Sequence, residues 1–418
     1  MLERRVRSYE SEAEDDECQV QLWGLAVKIR TVKSIGDELE RQQVSLAGCR
    51  DYSRDSVREA VGRALELLGG VGSIAAPGES VFLKANNVIA AAPDTAVVTH
   101  PEVMRALVKE FQQVTDRVTV GDSPGGPFTR AMLRRVFGKT GLAGVAEETG
   151  AELAMDTGVV EVFLTGGKMM KRFTLCKSMM EADHLVSVSK FKTHRYMNVT
   201  GPVKNLFGTV PGMTKFSYHS RFEDEKDFAD LVVDIHLACR PAFHIVDAVE
   251  VMQGEGARSG SKRKLGFVAA GRNAFALETL VLELAGLQLE DSRPLKAAVD
   301  RGVCPGEQGW FDVLGDDRLK LSIDDFQLPS SNYFSERIPA RLTGRLSRHF
   351  SARPDPQPDV CTGCGRCADF CPREAITVKK GVARVDLKSC IRCFCCEELC
   401  ENGAVRIKTP FFVRVIGS

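Results

Sequence analysis

Two runs of cysteine with the same spacing, set twenty-nine residues apart, constrain this chain more than any other feature. Cys361, Cys364, Cys367 and Cys371 stand in the order C-x2-C-x2-C-x3-C, and Cys390, Cys393, Cys396 and Cys400 repeat it. The "EAI" and "GAV" that follow the two fourth cysteines also correspond, as the halves of a duplicated unit should. Nine of the fourteen cysteines fall in these forty residues, whereas Cys18, Cys49, Cys176, Cys239 and Cys304 are scattered. In a reducing compartment such a block argues for metal or redox chemistry rather than a disulfide framework. Each run curls three sulphurs towards three irons of a cubane, and the fourth iron needs a sulphur from elsewhere.

The block resembles a bacterial-type two-cluster ferredoxin, a small α+β module. In such modules the fourth cysteine of each run ligates the other cluster. The resemblance implies two 4Fe-4S clusters, one held by Cys361, Cys364, Cys367 and Cys400 and the other by Cys390, Cys393, Cys396 and Cys371. Zinc is the alternative for C-x2-C pairs, but a zinc ribbon takes its ligands as two pairs, and each run here offers three plus one. Pro372 follows the first run, whereas Glu401 takes the matching place in the second. Cys395, the ninth thiol, reads as a small apolar residue beside a cluster. A ferredoxin moves single electrons and does no organic chemistry of its own. The function therefore depends on what precedes it.

The chain of 418 residues divides into four regions: a polar extension over 1–54, an α/β domain over 55–334, a basic and proline-rich linker over 335–357, and the cysteine unit over 358–410. The first half of the linker has the composition of a short docked helix. Fifty-six basic residues balance fifty-six acidic ones, so no global field draws the protein to nucleic acid or to an anionic membrane. The start lacks an apolar leader and no run is long enough to span a bilayer, which predicts a cytoplasmic protein without membrane contact. In the second region "SVREAVGRALELL" predicts an amphipathic helix opened by a Ser56/Glu59 capping box. Short strand-like runs then alternate with helical ones. That pattern predicts an α/β fold, a parallel or mixed sheet covered by helices.

The most informative stretch of this region is "VSVSKFKTHRYMNVTGPVKNLFGTVPGMTKFSYH". It opens as a strand and continues as turns around a "KNLFG" helical turn, with Lys190, Lys192, His194, Lys204, Asn205, Lys215 and His219 interleaved with Phe191, Phe207 and Phe216. Loops beyond strand C-termini are where α/β sheets bind ligands. Three further loops follow strands: "FLKANN" with Lys84 and Asn86, "VGDSPGG" with Asp122 and Ser123, and "VDAVEVMQGEGARSG" with Asp247. Neither G-x-G-x-x-G nor a P-loop occurs, so a nucleotide is not indicated.

These motifs, with "HPEVMRAL" and in this order, resemble the family known only as domain of unknown function 362, whose members often carry a C-terminal two-cluster ferredoxin. The resemblance draws attention to Lys192, His194, Lys204, Asn205, His219 and Asp247. One departure stands out: after the "GFVAA" strand the family pattern has aspartates where this chain has Asn273 and Glu278.

The leading expectation is an iron-sulphur oxidoreductase that passes low-potential electrons to a small anionic substrate. Lys84, Asn86, Asp122, Ser123, Lys190, Lys204, Asn205 and Asp247 would bind it, and Lys192, His194 and His219 would serve catalysis. Such a scheme leaves room for a flavin or a metal as a further cofactor, calls for an electron donor or acceptor protein, and suits anaerobic life. The alternatives are an electron-transfer or maturation protein acting on a protein partner, and a non-redox lyase or racemase with structural clusters.

Overall fold

The computed structural model describes residues 17–22, 25–31, 42–256, 259–306, 309–329 and 352–408, with side chains from residue 42 onward. A nine-stranded mixed sheet organises the larger part. Across it run Phe311–Gly315, Gln42–Gly48, Ser261–Gly271, Phe243–Gln253, His184–His194, Val81–Lys84, Val118–Gly121 and Glu152–Leu153, and Asn198–Thr200 folds back on His184–His194. Ser261–Gly271 is antiparallel to both its neighbours, while the strands from Phe243–Gln253 to Glu152–Leu153 are mutually parallel. The α/β class expected from the sequence is therefore present.

Strand alternation sends successive side chains to opposite faces. Phe82 joins a core shared with helices Glu225–Cys239, Ala274–Leu284 and Arg293–Asp300, whereas Val81 and Leu83 join one shared with Arg54–Glu66, Pro101–Phe111, Arg130–Lys139 and Leu142–Thr149. Helices thus cover both faces.

Three expectations need correcting. The sheet begins before residue 55: Gln42–Gly48 pairs with Ser261–Gly271 and Phe311–Gly315, and its Val44 and Leu46 are fully buried. Two more early strands, Glu17–Leu22 and Leu25–Thr31, complete a second, four-stranded sheet with Val159–Thr165 and Arg172–Cys176. The capping box does not form either. The helix starts at Arg54, and Ser56 instead accepts a hydrogen bond from the Arg50 amide at 3.1 Å. At the other end, Arg353–Pro356 is not linker but a strand paired with Val405–Lys408. The docked helix expected earlier in the linker lies outside the described residues.

The cysteine unit keeps its twenty-nine-residue repeat in three dimensions. Arg353–Pro356 pairs with Val405–Lys408, and their counterparts Val382–Val385 and Ile376–Lys379 pair with each other, so each half lends a strand to the other. Left-handed backbone recurs at matching sites: Gly363 with Arg392, Gly365 with Phe394, and Glu374 with Gly403. Non-glycine residues resist that conformation, so its repetition at Arg392 and Phe394 marks a loop shape imposed by its surroundings.

The two units pack together. Ile89, Ala91, Val97, Val98, Phe216 and Met252 of the α/β unit form one buried cluster with Cys395 and Leu399. Phe216 stacks on Phe370 at 5.6 Å. Glu401, the residue that departs from the repeat, bridges Arg366 of its own unit and Arg135 of the α/β unit.

Candidate functional site

The candidate site is a cavity between the two units with about 70 Å³ of open space. It lies beyond the C-terminal ends of the parallel strands. Lys84 ends one strand, Asp122 follows the next, and His194 ends the third. The K-F-K-T-H alternation at 190–194 puts Lys190, Lys192 and His194 on one face and fully buries Phe191 on the other. Lys204 and Asn205 come from the helical turn Pro202–Asn205, and Lys215, Phe216 and His219 from the helix Thr214–Arg221. Cys395, Glu398 and Leu399 complete the wall from the cysteine unit.

A hydrogen-bond chain fixes one side. Lys84 pairs with Asp122 at 2.8 Å and donates to Asn205 Oδ1 at 3.3 Å, an oxygen that also accepts from Asn86 Nδ2 at 2.9 Å. Asn205 Nδ2 donates in turn to Ser187 Oγ at 3.0 Å. This sequence of donors fixes the amide orientations and leaves Asn86 Oδ1 buried without a partner among the described residues. Lys215 donates to the Ser123 and Val210 carbonyls and to Ser123 Oγ, which ties the glycine loop to the lysine loop. Gly208 fits there because a Cβ would collide with Lys84 Nζ.

The opposite side is less fully paired. Lys192 Nζ donates to the Val97 carbonyl at 2.6 Å, and burial pushes its ammonium down to about 7. Among the described residues Lys204 Nζ has no hydrogen-bond partner and only lies over the Phe207 ring at 5.9 Å; burial lowers its pKa also. His194 Nδ1 accepts from the Tyr196 and Met197 amides, each at 3.1 Å, so the proton sits on Nε2 and points at Glu398 Oε1, 2.8 Å away. Burial lowers the His194 pKa to about 4 and that of His219 to about 3, and both imidazoles are neutral at neutral pH. His219 stacks on Phe228 at 4.3 Å and keeps an Nδ1 that is unpartnered among the described residues. Burial alone would raise the Glu398 carboxyl, but His194, Lys204 and His219 hold it below the ordinary carboxylate range.

Of the residues singled out from the sequence, Lys84, Asn86, Asp122, Ser123, Lys192, His194, Lys204, Asn205 and His219 line the cavity. Lys190 and Asp247 do not. They pair with each other at 3.0 Å beside Tyr52, away from the opening. Glu398 carried no sequence signal, because it becomes part of the site only when the two units meet. Glu278, one of the departures from the family pattern, accepts from the Val203 amide at 2.9 Å and braces the turn that bears Lys204; Asn273 caps the helix Ala274–Leu284 through Phe275 and Ala276.

The eight repeat cysteines crowd together, and Cys396 feels Cys367 of the other run as well as its own neighbours. Burial raises the Cys367 thiol to about 11, helped by Cys400, Cys361 and Cys364, while Cys396 is raised by burial and by Cys393, Cys390, Cys367 and Cys371. Amides at matching sites point at sulphur: Ala375 N to Cys371 Sγ at 3.3 Å and Ala404 N to Cys400 Sγ at 3.1 Å. Crowded thiols, curled loops and amide donors suit an iron-sulphur cluster, whose sulphurs take such hydrogen bonds.

The fold and site thus define an α/β protein fused to a ferredoxin-type unit. Comparison with known proteins agrees: residues 354–377 match the 4Fe-4S binding domain, and residues 81–283 match the Domain of unknown function (DUF362). The chain belongs to this DUF362 family. It is 31% identical to a thylakoid-associated protein of Synechocystis over 298 residues, which are 69% of this chain and 88% of that one. Ferredoxin-1 of Rhodobacter capsulatus is 44% identical over 36 residues, 9% of this chain and 55% of that protein. One polypeptide of the H2:CoB-CoM heterodisulfide, ferredoxin reductase of Methanothermobacter thermautotrophicus is 38% identical over 66 residues, 12% of this chain and 10% of that one. The lactate racemase apoprotein of Thermoanaerobacterium thermosaccharolyticum matches 55% of each chain at a TM-score of 0.33 and 16% identity, a likeness too loose to carry chemistry. No helix among the described residues is long and apolar enough to cross a membrane.

Proposed function

We propose that this protein is an iron-sulphur oxidoreductase that reduces a small anion held in the cavity between its two units. One observation carries the reading: Cys395, which lies between the repeat cysteines Cys393 and Cys396, forms part of the cavity wall. Two 4Fe-4S clusters, held by Cys361, Cys364, Cys367 and Cys400 and by Cys390, Cys393, Cys396 and Cys371, would supply single electrons at low potential. The second set would hold its cluster next to the cavity wall that Cys395 forms.

The residues of the cavity account for the rest. Asp122 neutralises Lys84, and Glu398 offsets one charge among Lys192, Lys204 and Lys215, which leaves two of these three lysines in excess. An anion is the ligand that such a site favours. The open space corresponds to about five water molecules on the usual scale, enough for a small acid. Neutral His194, with its proton directed by the Tyr196 and Met197 amides, holds that proton at Nε2 as a hydrogen-bond donor, and Glu398 orients it.

Anaerobic reconstitution should load roughly eight irons per chain. Reduced protein mixed with a panel of small mono- and dicarboxylates should be reoxidised by a particular acid, and Lys204→Ala should abolish the response at unchanged iron content. Reduced clusters that ignore every small anion and yield electrons only to a protein would overturn the reading in favour of an electron-transfer role.

A further inference from the structure

The two cysteine loops, equivalent by sequence, face different surroundings. The Cys390–Cys396 loop turns inward: Cys393 packs against the cluster shared by the two units, Cys395 is buried, and Arg195 lies over Phe394 at 5.5 Å. The Cys361–Cys367 loop turns outward. Cys364 is exposed, and the neighbouring Val360 is 39% exposed.

The hairpin Ile376–Val385 lies directly on this outer loop. Ala383 N points at Cys361 Sγ at 3.5 Å, and a Cβ on Gly363 would stand 2.6 Å from the Gly381 carbonyl. Contact this close demands glycine at 363, where φ is 66°. The hairpin carries Lys379, Lys380 and Arg384, all exposed, and no carboxylate. Among the described residues none of the three has an ion-pair partner; the exposed carboxylates nearby in the chain are Asp359 and Asp369 about the loop and Glu374 and Asp386 at the two ends of the hairpin. Val378 on the same hairpin is an exposed apolar residue as well, 37% accessible. An accessible redox centre with a small apolar contact and a cationic rim is what a transient electron-transfer encounter uses, with charge steering the approach.

We propose that this face docks an acidic one-electron carrier protein, which delivers electrons to the cluster held by Cys361, Cys364, Cys367 and Cys400, while the inner loop serves the cavity. The inference rests on the iron-sulphur reading above. In each encounter the reduced carrier gives up one electron and is oxidised, and the outer cluster gains that electron. No proton or bond changes hands. Lys379, Lys380 and Arg384 steer the carrier through its carboxylates, and Val360 and Val378 meet its apolar centre.

The experiment uses the full, cluster-loaded chain and follows the loss of visible cluster absorbance in stopped flow, with a reduced acidic ferredoxin as probe and dithionite as a small reductant. The expected result is a second-order rate with the ferredoxin that falls steeply with salt. The triple variant Lys379→Glu, Lys380→Glu, Arg384→Glu should slow that rate about tenfold or more, while reduction by dithionite stays within about twofold of the parent. A milder variant, Lys379→Gln with Lys380→Gln, should fall between them and guards against misfolding of the reversed form. A ferredoxin rate that is salt-independent and equal in all three proteins would overturn the docking face. Absence of bleaching by dithionite in the parent would instead reject the clusters, a separate outcome.

Discussion

Lys190 and Lys192 stand two residues apart on one strand and share a face, yet one is closed off and the other faces a cavity. Lys190 meets Asp247 at 3.0 Å and the Tyr52 hydroxyl at 2.5 Å, and Tyr52 donates to the same carboxylate at 2.7 Å while stacking on His100. Lys192 has the Val97 carbonyl and the cavity. The neighbouring strand makes the difference. Phe243–Gln253 keeps register with His184–His194 as far as Asp247 opposite Lys190, then loops out and rejoins only with Met252 opposite Lys192. One lysine receives a carboxylate from the sheet and the next does not. A buried cation with its own anion braces a fold, whereas a buried cation without one is poised for a ligand.

The largest effect should come from breaking the closed pair. Asp247→Ala leaves Lys190 buried without its anion and should cost about 3–5 kcal/mol, read from urea unfolding. A loss below about 1 kcal/mol would mean that the pair is no brace. Next comes the open side, with sulfate as a probe of constant charge. Lys204→Ala should weaken sulfate binding by roughly ten- to a hundredfold, the worth of one charged hydrogen bond, without lowering the unfolding midpoint. Equal affinity in the variant would remove Lys204 from the site.

A smaller and more diagnostic effect is the pH profile. Because burial sets the Lys192 ammonium near 7, it is cationic below that pH and neutral above it. Sulfate affinity should therefore fall as pH rises from about 6 to about 8, and Lys192→Gln should flatten the profile. A profile unchanged by the substitution would assign the titration elsewhere. The smallest effect belongs to the seam between the units. Glu401→Ala removes the bridge between Arg135 and Arg366, whose partners are partly exposed, so solvent screening limits the loss to about 1 kcal/mol or less. A loss of several kcal/mol would show that this bridge, rather than the apolar cluster around Phe216 and Leu399, holds the units together.

Much of the α/β site was legible because strand alternation and turn chemistry are local. The K-F-K-T-H pattern already places its cations on one face, and the glycines and prolines after it already demand a shaped loop. What stayed hidden is long-range. Nothing near Lys190 says that Asp247 will reach it and that the sheet will then loop out before Lys192. The apolar alternation of Val44 and Leu46 is too short to reveal a central strand within a polar terminus, and Ser56 gives up its cap to bond a preceding loop.

The sequence by itself determined the duplicated cysteine unit, since cysteine spacing is short-range and recurs twenty-nine residues later. It likewise determined the α/β class, through the periodicity of its apolar residues. Only the tertiary structure decided that the cysteine unit closes the lysine cavity with Cys395, Glu398 and Leu399, and that one cysteine loop faces inward and the other outward. Two loops with the same cysteine spacing become unlike when one is buried against a partner surface, and such burial depends on contacts between residues far apart in the chain.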